Sequence, residues 1–225
     1  MDLSAHYDKL YQESVAKIAA GNYEIDQLID AKDDYRFGIT LVIRPDENTK
    51  ANIQRFLSEV KAIDPFQYYY HNNDLHLTVM SIISCYVGFE LGQINIQDYA
   101  KLIEQVLSKH RSFKIQFKGL TASPSCILIQ GFLTETLNEI RDDLRIAFKN
   151  SQLQQSIDQR YAIQTAHSTI IRFRQALQNE HQLLDLVAKY RNFEFGTFEV
   201  KKVELVYNDW YQREQFVKKL HEFQL

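Results

Sequence analysis

His76-Leu77-Thr78-Val79 and His167-Ser168-Thr169-Ile170 are two copies of one tetrad: His, any residue, Thr, apolar residue. In each copy the His and the Thr lie two apart, so on a β-strand both project to one face and their neighbours to the other. A strand of this kind offers an imidazole and a hydroxyl together. Two such strands facing each other would give a small cavity two groups that exchange protons near neutral pH and two hydroxyls that bond an anion's oxygens. That combination suits cleavage of a phosphoester.

Working outward from the first tetrad, Leu75 to Ser84 reads as its strand, with His76, Thr78, Met80 and Ile82 on the chemical face and Leu77, Val79, Ser81 and Ile83 on the other. His71-Asn72-Asn73-Asp74 before it has turn chemistry, and Phe66 to Tyr70 before that reads as a strand. Upstream, Ile53, Phe56, Leu57, Val60 and Ile63 have helical spacing, and Arg36 to Arg44, closed by Pro45, is a buried strand. Downstream, Asn95 can cap a helix bearing Tyr99, Leu102, Ile103, Val106 and Leu107, and Phe113, Ile115 and Phe117 alternate with polar residues as in a half-buried antiparallel strand.

The same order then begins again. Ser125 to Phe132 reads as a strand, Thr136 and Glu139 have capping-box spacing for a helix carrying Leu137, Ile140, Leu144 and Phe148, and Tyr161 to Arg174 supplies the strand with the second tetrad. Strand, helix and His-bearing strand recur at nearly equal spacing, which an internal duplication explains economically. Leu183 to Tyr190 marks a further helix, Thr197 to Tyr207 a further strand, and a last run ends at Phe223 and Leu225. The expected fold is α+β: one two-lobed domain over residues 36–225, lobes at roughly 36–118 and 119–225 with strand exchange allowed, and a cleft between them. Residues 1–35 form a helical extension, since Leu3, Tyr7, Leu10, Tyr11, Val15 and Ile18 have helical spacing and stop at Gly21-Asn22. Packing on the body or on another subunit is its expected role.

Composition narrows the partners. With 225 residues, 45% hydrophobic and 24% charged, the chain can bury a full core and lacks the signature of disorder. A net charge of −3 does not suit coating of long nucleic acid, which needs a dense basic face, but it leaves room for a nucleotide or an RNA end. Cys85 and Cys126 sit in apolar runs and read as reduced core residues. No apolar leader opens the sequence and no run is long enough for a membrane span, so no membrane partner and a cytoplasmic location are expected.

Two His-x-Thr-apolar tetrads, each on a strand that follows a strand–helix unit, resemble the two-histidine (2H) phosphoesterase superfamily, which includes 2′,3′-cyclic nucleotide phosphodiesterases, the 2′-5′ RNA ligase-like enzymes and 2′,5′-oligoadenylate phosphodiesterases. The resemblance covers residues 36–225; the helical extension departs from the minimal pattern. It implies a bilobal fold with a central cleft and metal-independent attack on a phosphodiester. Carried over by position, His76 and His167 would be the acid/base pair, and Thr78 and Thr169 would hold the nonbridging oxygens. Histidine suits both roles because its unperturbed pKa of about 6.5 keeps both states accessible, so a bell-shaped pH dependence centred near neutrality is expected.

Other residues offer less. Arg172 and Arg174 would be phosphate ligands, but strict alternation turns them away from His167 and Thr169 to a structural or rim position, unless a bulge re-aims one. Tyr207 and Trp210 could stack a nucleobase or pack in the core. His6, His71, His110, His181 and His221 are scattered without metal-ligand spacing, and no GxxxxGK loop is present, so neither metal nor cofactor is expected. The rival to an enzyme is a non-catalytic nucleotide- or RNA-end-binding module using the same cleft.

Overall fold

Two antiparallel sheets carry the molecule in the computed structural model, which describes residues 2–225. In chain order the elements are α1 (Leu3–Ala19), β1 (Arg36–Ile43), α2 (Glu47–Ile63), β2 (Tyr68–Tyr69), β3 (Leu77–Val87), α3 (Ile96–Leu107), β4 (Phe113–Ser123), β5 (Cys126–Leu133), α4 (Glu135–Lys149), β6 (Ser168–Arg172), α5 (Glu180–Lys189), β7 (Glu194–Val200), β8 (Lys202–Asp209) and β9 (Lys218–Gln224). One sheet has the order β3-β1-β8-β9 and the other β2-β6-β5-β4-β7. Sheet membership therefore does not follow sequence order: β4 joins the second sheet, and the C-terminal hairpin β8–β9 returns to complete the first.

The helices form where apolar stripes and caps coincide. Asp46 caps α2 by accepting from Thr49 N at 2.8 Å, and Ile53, Phe56, Leu57 and Val60 enter the core. Asn95 caps α3, accepting from Gln97 N at 3.2 Å. At α4 the capping box expected from Thr136 and Glu139 does not form; Thr134 occupies the cap position without a side-chain bond, and the helix starts at Glu135. The apolar stripe of Leu137, Ile140, Leu144 and Phe148 is buried, so packing fixes this helix without that cap.

Two strands are shorter than their apolar runs suggest. Phe66 to Tyr70 reduces to Tyr68–Tyr69, and Tyr161 to Arg174 reduces to Ser168–Arg172, the chain from Asn150 to His167 being irregular. The expected strand Thr197 to Tyr207 is two strands, β7 and β8, parting at Lys201.

The N-terminal segment packs on the body. Tyr7, 1% exposed, donates its hydroxyl to Gly131 O at 3.1 Å and accepts from Gly131 N at 3.3 Å, tying α1 to β5. Residues beyond α1 cross to both sheets: Asp26 N donates to Phe173 O at 2.8 Å beside β6, and Asp26 Oδ1 accepts from Tyr211 OH at 2.8 Å just past β8. No helix among the described residues is long and apolar enough to cross a membrane.

Candidate active site

Both histidines stand one residue before their strands, His76 ahead of β3 and His167 ahead of β6. One cleft brings His76, Thr78, His167 and Thr169 together. The cleft also takes Arg172, which strict alternation turns away. The reason is a bulge: Ile127 pairs with Ile171 and Leu128 with Thr169, so Ile170 is the extra residue, and alternation resets behind it. Ile170 and Ile171 are both buried, and Arg172 swings to the face of His167 and Thr169.

The first tetrad carries the same irregularity. Leu41 pairs with Met80 and Val42 with Thr78, leaving Val79 extra, and the next cleft-lining residues are Met80 and Ser81. Ile82, expected on the chemical face, is instead wholly buried. Ser81 thus stands five residues after His76 as Arg172 stands five after His167. The two half-sites match in backbone but not in charge.

Arg172 is held from two sides. Its Nε donates to Tyr70 OH at 3.0 Å, and its Nη1 lies 3.7 Å from Asp26 Oδ2. Tyr70 also lies against His76, with ring centroids 6.5 Å apart, and its N–H donates to Ile170 O at 3.1 Å, so one residue links both tetrads. From behind, buried Arg141 of α4 donates through Nε to Val79 O at 3.0 Å and through Nη2 to Thr78 O at 2.9 Å and Thr165 O at 2.8 Å. Sequence reasoning misses Arg141, since one Arg in an amphipathic helix looks like a solvated residue.

The ring nitrogens differ in their settings. His76 Nδ1 lies 2.7 Å from Asp74 O, a carbonyl that can only accept, so Nδ1 carries the hydrogen and Nε2 keeps its lone pair. His167 Nδ1 lies 2.7 Å from Thr165 Oγ1, a hydroxyl that can donate to it and so let Nε2 hold the hydrogen. Burial, reinforced by Arg44, His167 and Arg172, pushes His76 down to about 3. Burial, with Arg141, Arg172 and His6, pushes His167 down to about 4. Both rings are therefore uncharged at neutral pH in the free protein, which moves the expected neutral optimum toward acid.

The remaining sequence candidates divide. Trp210 lines the cleft, with the Arg36 and Arg160 guanidiniums 5.0 Å and 4.5 Å from its ring. Tyr207 does not: it lies on the opposite face of β8, stacked on Phe37 with centroids 5.0 Å apart and planes 7° apart. Arg174 pairs with Asp30 at 2.5 Å, away from the cleft. Cys85 is buried at the cleft wall, and Cys126 is buried; both are free thiols. Among the described residues no group of three or more His, Cys, Asp or Glu is placed to hold a metal ion.

No family model and no curated protein sequence matches the chain. Solved structures do. TT0787 of Thermus thermophilus superposes with a TM-score of 0.62 at 15% identity, over 83% of this chain and 97% of that one. Escherichia coli LigT, crystallised with 3′-AMP, gives 0.55 at 14% identity over 84% and 98%. A structure described as a phosphoesterase gives 0.52 at 14% identity over 84% and 98%. The chain has the fold of the two-histidine phosphoesterases. Nearly the whole length of each of these LigT-like structures is matched, so the surplus residues belong to this chain.

Proposed function

We propose that the chain is a phosphodiesterase that hydrolyses a 2′,3′-cyclic phosphate, or a 2′,5′-linked phosphodiester, of a nucleotide or RNA end. The observation that carries this reading is the convergence of two bulged His-x-Thr tetrads on one cleft, where His76 Nδ1 faces a carbonyl and His167 Nδ1 a hydroxyl. His76, with a bare Nε2, takes the proton of the attacking water as a new P–O bond forms. His167 gives a proton to the ribose oxygen as the old P–O bond breaks. Thr78, Thr169, Ser81 and Arg172 bond the nonbridging oxygens, where charge builds in the transition state. The phosphodiester's own negative charge favours protonation of His167 once substrate is in place, offsetting the burial that keeps it neutral in the free protein.

The matched backbone of the two half-sites supports an internal duplication, with residues 36–225 as the catalytic domain and residues 1–35 as an added segment. LigT complexed with 3′-AMP lends the nucleotide class further support. Proton transfer by two imidazoles needs no metal ion. The test is turnover of a panel of nucleoside 2′,3′-cyclic phosphates and 2′,5′-linked dinucleotides in the presence of EDTA. Hydrolysis of one class, lost in His76→Ala and His167→Ala, supports the reading. Nucleotide binding with no turnover of any member would leave the cleft as a binding module and overturn it.

A further inference from the structure

Asn208, Trp210 and Gln212 alternate at the end of β8 and beyond, and all three line the cleft. Asp209 and Tyr211 between them are buried and engaged elsewhere. Asp209 accepts from Arg213 N at 2.8 Å and from Arg213 Nε at 2.7 Å, while Tyr211 OH donates to Asp26. The wall is thus fixed from behind.

Two independent features of this wall point to a ligand. Asn208 and Gln212 are only 2% and 4% exposed, and their side-chain oxygens have no hydrogen-bond partner among the described residues. Buried acceptors are normally satisfied, because leaving one unpaired costs its full desolvation. The Asn208 amide is held in one orientation, since Nδ2 donates to Asp209 O at 2.8 Å and reaches Cys85 Sγ at 3.5 Å, so its free end is the acceptor. Gln212 has φ of 61°, the left-handed region that glycine tolerates and a long side chain rarely adopts. Backbone strain kept beside an unpaired amide on a cleft wall marks a group held for a ligand.

We propose that Asn208 and Gln212 form a nucleobase-reading subsite that accepts N–H donors from the base whose phosphate lies between His76 and His167. This inference rests on the nucleotide reading above and adds to it a choice among bases. Adenine, guanine and cytosine carry an exocyclic amino group and can give hydrogens to both oxygens, whereas uracil has a single ring N–H on its pairing edge. A site built to accept hydrogen bonds discriminates against a partner that leaves its acceptors unpaired.

The experiment is calorimetric titration of the full chain with 3′-AMP, 3′-GMP, 3′-CMP and 3′-UMP. The three amino-bearing nucleotides bind about tenfold more tightly than 3′-UMP, the equivalent of one additional hydrogen bond. Gln212→Gly narrows that ratio to about threefold or less, and because glycine adopts the positive φ without strain, the variant is expected to fold, as circular dichroism checks. Asn208→Leu provides a second reading of the same ratio. Equal affinity for all four nucleotides, or a parental ratio in folded Gln212→Gly, overturns the base-reading subsite alone. Failure of all four to bind overturns the nucleotide reading of the cleft and this inference with it.

Discussion

At the scale of single residues, the site depends on what each imidazole faces. His76→Ala and His167→Ala are each expected to lower kcat/KM by about 10²- to 10⁴-fold, the usual contribution of a general acid or base, with circular dichroism unchanged. Retention of parental kcat/KM by either folded variant would remove that histidine from the chemistry. Because kcat/KM reports the free protein, and burial holds His76 near about 3 and His167 near about 4, its optimum falls on the acid side of 6.5. On the proposed mechanism the optimum of kcat is expected at higher pH than that of kcat/KM, since a bound phosphodiester would favour the protonated His167. A rate climbing steadily from about pH 5 to about pH 10 would point to hydroxide attack and away from a pair of histidines. On the proposed mechanism Thr78→Ala and Thr169→Ala lower the rate without moving either profile, because a hydroxyl that bonds phosphate does not titrate in this range.

Among the elements, α4 matters to the site through one side chain. Arg141 bonds three backbone carbonyls, two at the bulge of β3 and one at Thr165, whose own hydroxyl is the partner of His167 Nδ1. Arg141→Leu strips donors from these buried oxygens and is expected to destabilise the fold by about 3 kcal/mol, at roughly 1 kcal/mol or more for each acceptor left unpaired. Denaturant unfolding measures it, and a loss below about 0.5 kcal/mol, the range of an ordinary surface change, would show that Arg141 is not a clamp. Gly131 acts at the same junction. A Cβ there would lie 1.8 Å from Ala166 O, so only glycine lets β5 approach the chain just before His167 while Tyr7 bonds its backbone.

Across the whole molecule, the N-terminal segment behaves as part of the body. Tyr7, Ile18 and Ile29 are almost wholly buried, and at about 1.5–3 kcal/mol for each large apolar side chain their loss would cost on the order of 5 kcal/mol. A chain lacking residues 1–35 is expected to melt well below the full chain; equal melting temperatures would make the segment an appendage. Acid sensitivity is a second global property. The unfolded chain takes up protons on both site histidines below about 6.5, whereas the folded chain refuses them until about 4 and about 3. Their contribution is complete above pH 6.5 and is lost as pH falls from there toward the folded values. His76→Gln/His167→Gln should therefore lose less melting temperature between pH 7 and pH 4 than the parent, and an identical pH dependence would show that these two groups do not set acid stability.

Local pattern alone located the two tetrads, the order of strands and helices from Arg36 as far as α5 and the N-terminal helix, because period-2 and period-3.6 signals act within a few residues. Tertiary structure decided the rest. Whether Arg172 enters the cleft depends on one extra residue, Ile170, that exists only relative to its partner strand, and no single-strand alternation can register it. Tyr207 and Trp210 looked alike as aromatic candidates, yet β8 turns the first onto Phe37 and the second into the cleft. The Asn208 and Gln212 oxygens could be recognised as unpaired only once the partners of the surrounding groups were in place. Sequence specifies which groups are present and how they alternate along a strand; the register between strands fixes which of them meet, and burial fixes the charge they carry there.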